Sequence, residues 1–262
     1  MVDDDKVRQE VRKDYAKIAT SQSQGCGCSG SSCCSSSPKR LDDMSTQLDY
    51  SKEEQNSAPD GSNMGLGCGN PQAIANIKTG ETVLDLGSGG GFDCFLAAKQ
   101  VGANGKVIGV DMTPEMVSKA RENAKKGNYQ NVEFRLGEIE NLPVADETVN
   151  VIISNCVVNL SPDKAQVFRE AYRALKKGGR LAISDTVLTA ELPEKAKKDL
   201  ALYSACVSGA SYIKDLEQFI KAAGFKNIKI TPKGESKEFI KNWSSELKAE
   251  DFIVSANIEA VK

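Results

Sequence analysis

Residues 82–98 read TVLDLGSGGGFDCFLAA. A short apolar run with an acid at Asp85 is followed by four glycines in the five positions 87–91, and apolar residues then return at helical spacing. That order predicts a buried strand turning sharply into a helix, because glycine alone accepts the left-handed backbone such a turn requires. The alternation continues. KVIGVDM reads as a strand and TPEMVSKARENAKKG as a helix with Thr113 as N-cap and Pro114 at its first position. NVEFRLGEI and TVNVIISN follow as strands, SPDKAQVFREAYRALKKGG as a helix expected to start on Ser161 and close at Gly178, and RLAISDTVL as a strand. Helical segments around 193–205 and 214–223 precede two last strands, FKNIKITPK and FIVSANIEAVK. The expected fold is α/β, a mostly parallel sheet with helices on both faces and an antiparallel hairpin of the last two strands at one edge.

Before this block, Val7, Val11, Tyr15 and Ile18 mark an amphipathic helix over residues 1–20 whose apolar stripe needs something to pack on. Residues 21–63 are rich in Ser, Gly, Asn and Asp and read as a flexible cysteine-rich tail or lid, leaving 64–262 as the main domain. With 34 basic and 36 acidic residues and no Lys/Arg block, the chain lacks the clustered positive charge that nucleic-acid binding draws on. The start is charged and no run approaches the ~18 apolar residues of a membrane span, so a cytoplasmic protein without a signal peptide or membrane contact is expected, by default a monomer. In a reducing compartment its eight cysteines are more often thiols, ligands or reagents than disulfides. There is no histidine, so any mechanism must work without the commonest general base.

The glycine turn is not a phosphate-binding Walker loop, since no Gly-Lys-Ser/Thr follows, and Phe92 stands where a GxGxxG dinucleotide fingerprint needs its third glycine. Acid-x-Gly-x-Gly-x-Gly resembles instead the first motif of class I S-adenosylmethionine-dependent methyltransferases, which implies a Rossmann-like, seven-stranded sheet and S-adenosylmethionine as cofactor. On that resemblance Asp85, Gly87, Gly89 and Gly91 border the methionine moiety, and Asp111, at the end of the second strand, accepts the ribose hydroxyls. Met112 lies against adenine, Ile139 and Glu140 meet its edge, and Asn155 lines the methyl-transfer end. The plainer alternatives are a structural turn for the glycines and a core side chain for Met112.

Three cysteines lie in separate contexts: Cys68 in GLGCGNP, Cys156 in SNCVVNL and Cys206 in YSACVSGA. Two of them fall at the ligand-bearing edge of a doubly wound sheet, and a loop from the N-terminal side can bring in the third. Any one alone is more often a small buried hydrophobe, the reading that suits Cys94 in FDCFLAA. Taken in order, GLGCGNP, LDLGSGGGFDCFLAA, VIGVDMT, SNCVVNL, ISDTVL and CVSGA resemble the arsenite S-adenosylmethyltransferase family over nearly the whole chain. The resemblance implies that Cys68, Cys156 and Cys206 hold As(III) as three thiolates, which suits a soft centre. The arsenic lone pair is then the nucleophile and needs no base. It also implies arsenite or its glutathione conjugates as substrate and a thiol reductant such as glutathione or thioredoxin. In the tail, Cys26, Cys28, Cys33 and Cys34 would deliver arsenic, with Cys33 and Cys34 nearest to the family's positions; a zinc clamp is the alternative. Rival functions are methylation of another small molecule and a non-catalytic metalloid buffer. One departure is NMGLGCG, where animal members carry tyrosines before the glycine, so the resemblance does not supply the aromatic lining of the site.

Overall fold

The computed structural model describes residues 3–21, 38–244 and 247–262. Its strands are β1 (Thr82–Leu86), β2 (Lys106–Asp111), β3 (Val132–Leu136), β4 (Val149–Asn155), β5 (Leu175–Leu188), β6 (Ser211–Tyr212), β7 (Lys226–Lys233) and β8 (Ile253–Val261). They form one sheet in the order β3-β2-β1-β4-β5-β8-β7, with the two-residue β6 beside β5. From β3 to β5 every pairing is parallel, and β8 runs antiparallel to both β5 and β7. The helices are α1 (Asp4–Thr20), α2 (Pro38–Gln47), α3 (Lys52–Ser57), α4 (Gln72–Ala75), α5 (Phe92–Val101), α6 (Pro114–Lys126), α7 (Lys164–Ala174), α8 (Glu194–Lys197), α9 (Leu200–Ser204) and α10 (Ile213–Ala223).

Neighbouring residues of a strand point to opposite faces, and the core divides accordingly. Leu84, Leu86, Ile108, Val110, Ile152 and Ile183 bury one face against Phe168 and Ala171 of α7 and Leu216 and Ile220 of α10. Val83, Val107, Val151 and Ile153 bury the other against Phe95 and Ala98 of α5 and Val117 and Ala120 of α6. Covered on both sides, these strands are apolar throughout, as a parallel sheet requires. The ends of β1, β2 and β4 therefore open at one edge.

The structure corrects three local expectations. Asp163, not Ser161, caps α7, its side chain accepting the Gln166 N–H. That helix stops at Ala174, and Gly178, at φ 80°, bends extended chain inside β5, where the register with β4 slips between Val149 and Val151. The last two strands form the expected antiparallel pair at one edge of the sheet, β8 joining β5 and the mostly exposed β7 lying outermost. Within 21–63, residues 43–63 are packed and not loose: Leu48 and Tyr50 are buried with Leu96, and Ser51 and Glu54 form a capping box on α3. Cys26, Cys28, Cys33 and Cys34 lie outside the described residues.

Candidate active site

The turn after β1 is built by backbone geometry. Gly87, Gly89 and Gly91 sit at φ 72°, 50° and 93°. A Cβ on Gly87 would fall 2.3 Å from Val157 Cγ2, so the chain passes there only as glycine. The turn is tied to β2: Gly87 and Ser88 N–H donate to the Val110 carbonyl, and Gly89 N–H donates to Asp111 Oδ2 at 2.9 Å. Asp111 Oδ1 accepts from Thr113 N–H at 2.8 Å, and burial raises the Asp111 carboxyl pKa. Asp85 is buried, accepts the Cys94 thiol at 3.2 Å, and is pushed well above the usual carboxylate range by burial and by Asp93.

A cavity of about 540 Å³ opens over this turn. Asp85, Gly87, Ser88, Gly89, Asp111 and Met112 line one end, Ile139 and Glu140 a side, and Asn155, Cys156 and Cys206 the other end. Gly91 stands outside that lining; it caps α5, and a Cβ there would meet Phe134 Cζ at 2.7 Å. Glu140 borders the cavity, but its Oε1 already accepts from Ser161 Oγ at 2.7 Å and from Arg8 at 3.5 Å. The Asn155 amide is likewise engaged. Its Oδ1 accepts Cys68 N–H, and its Nδ2 donates to Gly69 O and Tyr50 Oη, so it also anchors the loop before β1.

Sequence reasoning missed several of these groups. Tyr50 donates to Asp93 Oδ1 at 2.8 Å, which joins a packed part of the supposed tail to the first turn of α5. Aromatic lining comes from Tyr15, Phe92, Phe239 and Trp243. Only Tyr15 carried a signal, its place on the α1 stripe.

The three thiols converge. Cys68, Cys156 and Cys206 are buried in one cluster with Val7, Val11 and Leu160, and Tyr15 packs on it. Cys156 Sγ accepts from Asn159 Nδ2 at 3.8 Å, and Cys206 donates its thiol to the Cys156 carbonyl at 3.4 Å. Cys68 lies deeper: it does not line the cavity, and Ser255 Oγ holds its carbonyl at 2.6 Å. Cys156 and Cys206 adopt φ 59° and 62°, a left-handed backbone that non-glycine residues keep only where surrounding structure enforces it. Burial pushes the Cys68 and Cys156 thiols up, Cys156 further because its two thiol neighbours add to the effect. An Asp185 carboxylate oxygen lies within 4.8 Å of the Cys68 and Cys156 sulfurs. Asn159 and the Thr186 N–H fix that carboxylate. Cys94 is a core residue, as expected.

Residues 77–224 match the family described as a methyltransferase domain. The chain is 53% identical to an arsenite methyltransferase of Halobacterium salinarum over 99% of its own length and 68% of that protein. The chain belongs to the arsenite methyltransferase family. A second member, from Aquipseudomonas alcaligenes, is 38% identical over 86% of this chain and 63% of its own. Human arsenite methyltransferase is 43% identical over 55% of this chain and 40% of its own, so the chain spans about two thirds of the microbial members and less than half of the human one. Among solved structures, an arsenic (III) S-adenosylmethionine methyltransferase from Chlamydomonas reinhardtii superimposes with TM-score 0.63 at 33% identity, covering 84% of this chain and 73% of that one. The sheet is the Rossmann-like class I methyltransferase sheet of this family, whose cofactor is S-adenosylmethionine.

Proposed function

We propose that the chain transfers methyl groups from S-adenosylmethionine to As(III) held by the thiolates of Cys68, Cys156 and Cys206. The observation that carries this reading is that one cavity joins the glycine turn and Asp111 to Cys156 and Cys206. The residues suit the cofactor. Ser88 Oγ is buried at the cavity with no partner in the protein, Gly89 lines it with room where a Cβ would stand, 3.6 Å from Met64 Cε, and Asp111 offers a fixed acceptor beside it. Asp85, Gly87 and Gly89 would hold the methionine end, with Gly91 shaping the turn. Asp111 would hold the ribose, Met112, Ile139 and Glu140 the adenine, and Asn155 the transfer end. When bound, the cofactor supplies an electrophilic methyl group on a sulfonium.

The chain's part is capture, orientation and exclusion of water. Each Cys thiol exchanges with an oxygen or sulfur ligand on arsenic: an As–S bond forms, the old As–O or As–S bond breaks, and the thiol proton leaves with the departing water or glutathione. Three protein sulfurs satisfy As(III) and leave its lone pair free, so no residue need remove a proton during transfer, in keeping with a chain without histidine. Val7, Val11 and Leu160 keep that volume apolar.

Substrate would arrive as arsenite or a glutathione conjugate, and glutathione or thioredoxin would restore As(III) between methylations. Cys33 and Cys34 would pass arsenic inward. Four buried free thiols call for a reducing compartment, the cytoplasm, and a monomer suffices because one chain supplies the whole site. No described helix is long and apolar enough to cross a membrane.

The test is arsenic speciation after incubating the protein with arsenite, S-adenosylmethionine and glutathione, beside Cys156→Ser. Methylated arsenic is expected from the unmutated chain, with at least a ~100-fold loss in the variant. Equal turnover by the two would remove the thiolate site from the mechanism, and no product at all would reject arsenic as the acceptor.

A further inference from the structure

The stripe of α1 packs on the thiols instead of on the sheet: Val7 and Val11 share their cluster with Cys68, Cys156 and Cys206. Tyr15 follows Val11 by four residues, one helical turn, so its ring faces the same way. Its phenol lines the cavity that Cys206 also lines and packs on the thiol cluster, which brings a hydroxyl donor to the sulfurs. Cys206 is fixed at every other point. Its carbonyl accepts from Thr186 Oγ1 at 2.9 Å, its N–H donates to Tyr203 O, and its thiol donates to Cys156 O. That last bond needs the thiol proton, so once the proton leaves on arsenic capture nothing in it aims the sulfur.

We propose that Tyr15 is a positioning residue for arsenic capture, its O–H donating to Cys206 Sγ and holding that sulfur against Cys156 as the third ligand closes. The proposal rests on the arsenite reading above. Once arsenic is bound, Cys206 is a thiolate, a stronger acceptor than the thiol, so the same O–H bond tightens in the complex and favours the bound state. Without the hydroxyl the sulfur samples other rotamers, and capture bears the cost of ordering it. The helix is moored independently, by Arg12 to Glu138 at 3.1 Å and Arg8 to Glu140 at 3.5 Å, so removing one oxygen from Tyr15 leaves α1 docked.

Tyr15→Phe in the full chain tests this. Trp243 is the sole tryptophan and lines the cavity, so its fluorescence reports arsenite and cofactor binding separately. In the variant, Kd and KM for arsenite should rise about tenfold, the size expected for a lost hydrogen bond to a charged group, while kcat and cofactor Kd stay within about twofold. Arg12→Ala, which loosens α1 without touching the thiols, should leave arsenite KM unchanged. Unaltered arsenite affinity in Tyr15→Phe overturns the proposal, and so does a parallel loss of arsenite and cofactor affinity, which would mark a general effect of helix docking. If the unmutated protein neither binds nor methylates arsenite, the reading of the previous subsection fails first, and this one with it.

Discussion

Asp93 is a buried acid in the first turn of α5, and its carboxyl is raised to about 6. Burial is the main cause, opposed by hydrogen bonds from Tyr50, Gln72 and Asn155. The raised value means that the fold holds this proton more tightly than the unfolded chain does. The stability it contributes is therefore present in acid and is lost as pH climbs from the usual carboxylate range through about 6. Asp93→Asn, which keeps an acceptor for Tyr50, should gain in Tm relative to the unmutated chain as pH rises across that window. Thermal melts at either side of it check this, and a constant difference in Tm would place the titration elsewhere. Much at this scale was legible in the sequence. The glycine turn, Asp85 and Asp111 could be found because a strand end and a tight turn are local events whose residues adjoin in the chain. Asp93 and Tyr50 could not, since what makes them notable is a bond across 43 residues, and neither sits in a telling local pattern.

At the level of elements, α1 was readable as a helix, because the spacing of Val7, Val11, Tyr15 and Ile18 is a property of the helix itself and its last residue is the expected Thr20. Its partner was not readable. An apolar stripe states that something is covered but not what, and here it covers three buried thiols. Val11→Asp would put a charge into that apolar cluster and should lift the helix off. Cys156 and Cys206 should then react with an aromatic disulfide reagent at least ~10-fold faster, while far-ultraviolet circular dichroism keeps the sheet signal. Unchanged thiol reactivity would show that α1 does not govern access. The ends of α7 escaped the sequence for a related reason: Ser161 and Gly178 carry the right chemistry for caps, but Ser161 is engaged by Glu140 and Gly178 serves a bend in β5.

On the scale of the whole molecule, the thiol cluster draws on the loop before β1, the end of β4, the turn after α9 and β8, whose Ser255 holds the Cys68 carbonyl. Sequence reading could assign the fold because the parallel order repeats one local unit. It did not say which of the last two strands joins β5; β8 does, with Val254, Ala256, Ile258 and Ala260 buried, while β7 is mostly exposed. The docking of α1 on Cys206 also sets a timetable. α1 packs against Cys206, which is made long after it, so the helix must wait, exposed, until α9 and β5 are in place. Pulse-labelled hydrogen exchange during refolding should find the amides of α1 protected after those of β1 and β4. A newly made chain would thus offer its thiols openly before it can seal them, and its earliest encounter with arsenic would belong to its synthesis.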